Sequence, residues 1–171
     1  MNNQVQNIIW FLGLIFFQIF FLDAIHIGLY STYFTPLIFS FFVLKQRLET
    51  SVFQLLIYAF FMGLVIDIFR DTIGLNTSVL LLLAFLRSRF LYLISSKDDF
   101  ESGVELNLFT IGIGRYVMFF GLSIFFYHVM FFLLEQFSFQ NFLTLIFRSF
   151  INTTIALVVL GFFQFFLIPK K

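Results

Sequence analysis

Asp67, Arg70 and Asp71 stand within GLVIDIFRDTIGLNTSVL, Gly63 to Leu80, in a chain that is otherwise close to hydrocarbon. Two carboxylates four residues apart, Asp67 and Asp71, fall on one face of a helix. Such a pair can share a proton, which is one chemistry open to an intramembrane enzyme. Against that reading, both acids sit on one helix, beside Arg70, at the end of an apolar run. The second reading is mechanical. An acid near the membrane edge needs donors, and neighbouring helices are the nearest source of them.

Other catalytic constellations are missing. There are no cysteines, so thiolate chemistry and disulfides are excluded. His26 and His128 are the only histidines and lie far apart, with no HExxH or CxxC pattern. No metal site and no cofactor are therefore expected. A net charge of +1 gives no reason to expect nucleic acid as a partner.

The elements that must position these residues are set by composition. The chain is 61% hydrophobic and 11% charged, against about 45–50% and about 25% in soluble domains. Its 32 phenylalanines exceed what a water-soluble core of this size can hide, and the mean hydropathy is +1.02. The expected fold is a single all-α integral membrane domain over residues 1–171. A spanning helix needs about 20 apolar residues. Six are expected, over residues 7–22, 30–44, 51–69, 75–94, 108–134 and 141–168. The second is short and carries Pro36, so it is the one open to being broken or re-entrant. The first run follows Met-Asn-Asn-Gln, without Lys or Arg and without an A-x-A site, and is expected to be retained.

Basic residues orient the bundle. Lys45, Arg47, Arg87, Arg89, Lys97, Lys170 and Lys171 fall on one side and only Arg70 on the other. That bias places both termini in the cytoplasm. Trp10, Tyr30, Tyr33, Tyr127 and His128 read as rings at headgroup depth. The one long polar connection, Ser95–Asn107, is either a solvated connector or a contact for a cytoplasmic filament protein.

Helix association in lipid relies on small residues and polar contacts. Ala59, Gly63, Asp67 and Asp71 form one row at four-residue spacing, and Arg148, Asn152 and Ala156 form another, with Ser149 and Thr153 alongside. Asp67 and Arg148 are expected to face each other, or to share a cluster with Asp23 and Asp71. The competing expectation is that Arg148 snorkels to the headgroups. Arg115 follows Gly112-Ile113-Gly114, whose glycines suit close backbone approach. It is expected to pair with Glu105 or Glu49, or to be a simple interfacial arginine. In the turn, Gly74 suits a left-handed helix terminus, and Asn76, Thr77 or Ser78 suit the cap of the next helix.

The stretch Gly63–Leu86 resembles the signature region of MreD, the rod shape-determining membrane protein family. The matching positions are Gly63, Asp67, Ile73, Gly74 and Leu75, with Thr72-Ile73 standing where family members often carry Pro or Leu before the apolar-Gly pair. Length, span number, termini, the FFQIFFLD end of the first helix and Pro36 also fit. The resemblance implies a bacterial inner-membrane scaffold without catalysis, in the cell-elongation complex that directs lateral peptidoglycan synthesis. Its implied partners are MreC, the polymerase RodA, a class-B penicillin-binding transpeptidase, the actin-like filament protein MreB, and membrane lipid. Partner helices would dock on aromatic stripes such as Phe16, Phe17, Phe20 and Phe21. The implied fold is similar to the substrate-binding subunits of energy-coupling-factor transporters. The alternative function is such a vitamin-transporter subunit. Against it stand only four alanines and no Ala-x-x-x-Ala row in the first helix.

Overall fold

A computed structural model of the chain describes residues 3–25, 34–72, 74–94, 105–137 and 141–167. It is 81% helical, with no strand among the described residues. Among the described residues seven α-helices follow in order: α1 (Asn3–Phe17), α2 (Phe41–Leu44), α3 (Val52–Arg70), α4 (Leu75–Ile94), α5 (Leu108–Ile111), α6 (Ile113–Gln136) and α7 (Phe142–Leu167). A π-helical turn, Gln18–Leu22, prolongs α1. Among the described residues five spans are long and apolar enough to cross a membrane: α1 with its π turn, α3, α4, α6 and α7. The helices mark a multi-pass membrane protein.

The expected second helix, residues 30–44, is not formed as such. Residues 34–40 are non-helical, and only Phe41–Leu44 makes a turn of α-helix. Tyr30 and Tyr33 lie outside the described residues. Pro36 has no N–H and biases Thr35 towards extended backbone. The segment nevertheless lies at the centre of the molecule, with Leu37, Ile38 and Phe39 fully buried. Its ends show where it goes. Asp23, just past the π turn, is 3.3 Å from Arg70 at the end of α3. Lys45, shortly before α3, lies 5.1 Å above the ring of Trp10, early in α1. So α1 and α3 run the same way, and the chain between them must return across the bundle through residues 34–45.

Non-helical backbone is tolerated away from water only where protein groups satisfy it. Three side chains do so here. Gln18 accepts from the N–H of Ile38 (3.0 Å) and donates to the carbonyl of Pro36 (3.1 Å). His128 Nε2 accepts from the N–H of Leu37 (3.1 Å), which leaves the proton on Nδ1 to donate to the carbonyl of Ile124 (2.9 Å). Asn152 Oδ1 accepts from the N–H of Thr35 (2.7 Å). The π turn gives Gln18 its place: the N–H of Asp23 bonds the carbonyl of Gln18 at 2.9 Å, one residue beyond α spacing. Arg87 of α4, also buried, donates to the carbonyls of Leu44 (3.2 Å), Gln46 and Arg47 and so closes the far end of the crossing segment.

Three further expectations change. Residues 108–134 do not form one helix. Gly112, at φ +79°, separates α5 from α6, and Gln164 of α7 accepts from the N–H of Leu108 at 2.8 Å. A Cβ built on Gly112 or Gly114 meets nothing within 4 Å, so among the described residues neither glycine marks a close approach, and Gly112 alone serves the break. Tyr127 and His128 are fully buried, not headgroup anchors. Trp10 is also buried, against Phe41 at 5.7 Å.

Gln18→Leu orphans the N–H of Ile38 and the carbonyl of Pro36. A loss of about 1–3 kcal/mol per group is expected, read as a lowered unfolding temperature in detergent. Phe20→Leu, on the exposed side of the same turn, should change stability by less than about 0.5 kcal/mol. Equal melting of the two variants would show that the crossing segment does not depend on Gln18.

Candidate functional site

The polar group at the α3–α4 turn is built around Asp67. Helix α3 ends on Asp71, whose backbone is left-handed at φ 54°. The carbonyl of Asp67 receives the N–H of both Asp71 and Thr72, the latter at 3.1 Å. This termination turns the chain back, so that the first turn of α4 points its N–H groups at α3. Those N–H groups have no partner inside their own helix. The Asp67 carboxylate supplies one. Oδ1 accepts from Asn76 N (2.9 Å), Asn76 Nδ2 (2.9 Å) and Thr72 Oγ1 (2.7 Å). Oδ2 accepts from Thr77 N (2.9 Å) and Thr77 Oγ1 (2.6 Å).

Asp67 of α3 therefore caps α4. A negative group at a helix N-terminus is favoured by the helix dipole as well as by the hydrogen bonds. Gly63, one turn earlier on the same face, makes the approach possible. A Cβ at that position would lie 2.5 Å from Thr77 Cα and 2.9 Å from Thr77 N. Gly63 and Asp67 thus act on the same residue of α4, one by contact and one by bonding. Tyr127 of α6 extends the network, its hydroxyl 3.3 Å from Asn76 Oδ1.

The expected pair of Asp67 with Arg148 does not form. Asp67 has five neutral donors and needs no cation. Arg148 does not snorkel either, since it is 6% exposed. Its Nη1 bonds Glu135 at 3.0 Å, its Nη2 bonds Thr35 Oγ1 at 3.2 Å, and its guanidinium lies 3.8 Å over Phe132. Asn152, one turn on, donates to the carbonyl of Arg148 (2.9 Å) while it holds Thr35. The expected row is right in placing Arg148 and Asn152 on a packed face. Its partner is the crossing segment and α6, not α3.

Asp23 also stands apart from Asp67. It bonds Gln18 Nε2 at 2.9 Å and faces Arg70. Asp71 is exposed. Because its left-handed backbone leaves the helical path, the row Ala59–Gly63–Asp67 stops one step short of it, and the two carboxylates do not form a pair. Gly74 has a positive φ of 76°, but it precedes α4, and the left-handed end of α3 falls on Asp71 instead. Asn76 and Thr77 bond to Asp67 from inside α4 and are not caps of their own helix. Arg115 is exposed at the start of α6, and Glu105 faces Lys45 at 3.6 Å.

Sequence reading overlooked Gln18 and Arg87 as site residues, and took His128 for an anchor. Their signal was a polar side chain inside an apolar run. It pointed to a buried partner without saying which backbone lacked one. No family model, curated protein or solved structure matches the chain.

Gly63→Ala should cost about 1–3 kcal/mol through overpacking against Thr77, seen as a lower melting temperature. A double-mutant cycle of Asp67→Ala with Thr77→Val should give a coupling of about 0.5–3 kcal/mol, whereas Asp67→Ala with Arg148→Ala should be additive within about 0.5 kcal/mol. Coupling in the second cycle and none in the first would mean that the carboxylate is held by Arg148.

Proposed function

We propose that the chain is an MreD-family protein, a non-catalytic scaffold of the bacterial cell-elongation complex that acts in the inner membrane on lateral peptidoglycan synthesis. The observation that carries this reading is the use made of the signature stretch. Gly63 and Asp67, the residues on which the resemblance rests, join two helices at backbone contact. A clamp of that kind holds a shape for other proteins to dock on.

The outside of the bundle supports the same reading. Phe16, Phe20 and Phe21 of the first span and Phe162 and Phe166 of α7 are exposed. Phe17 of the expected stripe is instead turned onto Phe163, with ring centroids 4.6 Å apart. Aromatic faces of this sort suit partner transmembrane helices such as that of MreC. In this reading the chain crosses the membrane six times, five times as a long helix and once through residues 34–45. The even number agrees with both termini on the side of the seven basic residues, the cytoplasm. The fold is proposed to be similar to the substrate-binding subunits of energy-coupling-factor transporters, without their transport role. RodA, the class-B transpeptidase and MreB would be reached through the complex.

Co-expression with the MreC protein of the same genome and purification in mild detergent tests this. The two should elute together, and Gly63→Leu should reduce the yield of the pair. Elution of the chain without MreC, and with the energising subunits of a vitamin transporter, would establish the transporter reading in its place.

A further inference from the structure

A cleft of about 400 Å³ opens where the first span, the start of the crossing segment and the end of α3 meet. Its polar floor is Asp23, Thr35 and Arg70, and its walls include Ile25 and Phe69. Most buried polar atoms of the bundle have partners inside it. Two at this cleft do not. Nη1 of Arg70 is buried with no hydrogen bond, and so is Oδ2 of Asp23. The two side chains touch, Arg70 Nε lying 3.3 Å from Asp23 Oδ2, and 15% of the Arg70 side chain and 22% of the Asp23 side chain stay exposed. The ring of Phe131 lies 5.6 Å from the guanidinium, and Gln18 fixes the other carboxylate oxygen at 2.9 Å. Both groups are thus held in place while part of each lines the cleft.

An ion pair partly open to a cleft takes further charge-assisted hydrogen bonds from a ligand that carries both an acceptor and a donor. The charges narrow its chemistry. Asp23 and Arg70 cancel, so a net anion or a net cation gains at one residue and loses at the other. A zwitterion matches both. We propose that this cleft binds a zwitterion in which a phosphate oxyanion, set against Arg70, is joined to a hydrogen-bearing ammonium, set against Asp23, as in a phosphoethanolamine group. Ile25 and Phe69, 44% and 61% exposed, give an apolar rim on which the rest of an amphiphile lies. The ends of α1 and α3 are where a bilayer presents headgroups. The same group also exists in soluble form, and the site itself recognises only the shared chemistry. This assignment does not depend on the scaffold reading.

The test is thermal unfolding of the purified full chain in dodecylmaltoside. Dioleoylphosphatidylethanolamine is compared with dioleoylphosphatidylcholine, whose ammonium carries no hydrogen. In parallel, free O-phosphoethanolamine is compared with phosphocholine. Two variants accompany the wild type: Arg70→Gln removes the guanidinium, and Ile25→Trp fills the cleft while leaving the ion pair intact. At roughly ten times Kd, binding should raise the melting temperature of the wild type by about 4 °C for the ethanolamine form over the choline form. Both variants should lose that difference. If it appears with the lipids alone, the ligand is a membrane phospholipid; if it appears also with the soluble pair, the headgroup suffices. The proposal is overturned if the wild type does not discriminate ethanolamine from choline, or if the difference survives in Ile25→Trp.

Discussion

Backbone N–H and C=O groups away from water must find partners, and outside helices the chain cannot supply them from its own regular pattern. This constraint organises the molecule. At three places where a helix stops, a side chain from another element takes over part of the bonding. Asp67 serves the start of α4, Gln164 the start of α5 and Arg87 the end of α2. Gln18, His128 and Asn152 serve the crossing segment between α1 and α2. Among the described residues sixteen polar or charged side chains are buried, and these six have this duty.

The Asp67 arrangement shows why an acid is suited to it. A carboxylate offers about four acceptor positions and bears a charge that strengthens each bond. Five donors converge on it from a single turn and the helix that follows. Burying the charge is costly, but the donors replace what water provided. A cation would add little, because the lone pairs are already used. Arg148 faces the converse problem and solves it with a carboxylate, a hydroxyl and an aromatic face. Each of the two helical hairpins, α3–α4 and α6–α7, therefore has its own polar clamp, which is why the two charges do not need each other.

Much of this was legible in the residues. Apolar run length gives α3, α4 and α7 almost to the residue, because helix length in a membrane is set by bilayer thickness. The Ala59–Gly63–Asp67 row gives the packed face of α3. The partner of that face was not legible. Depth along the membrane suggested Arg148, whereas the winner was the next helix, brought close by the left-handed Asp71. That backbone state left no mark distinguishing it from Gly74, where glycine made the same state cheaper. The crossing segment was hidden for another reason. Its residues, TPLIFSFFVL, are as apolar as any helix here, and only the distant Gln18, His128 and Asn152 make the extended form sustainable.

Sequence distance separates these interactions into two classes with different consequences. Asp67 and Thr77 are 10 residues apart, and Arg148 and Glu135 are 13 apart. Both clamps close over short loops, so each hairpin can form with little loss of chain entropy. The bonds of the crossing segment to α6 and α7 span 91 and 117 residues. Until those last helices are in place, the N–H groups of Thr35 and Leu37 have no acceptor, and burying them would be unfavourable. The crossing segment is completed only when the whole chain is present. With it come the final positions of Asp23 and Thr35, and hence the cleft at Arg70, so the shape offered at that end of the bundle depends on residues from both halves of the protein.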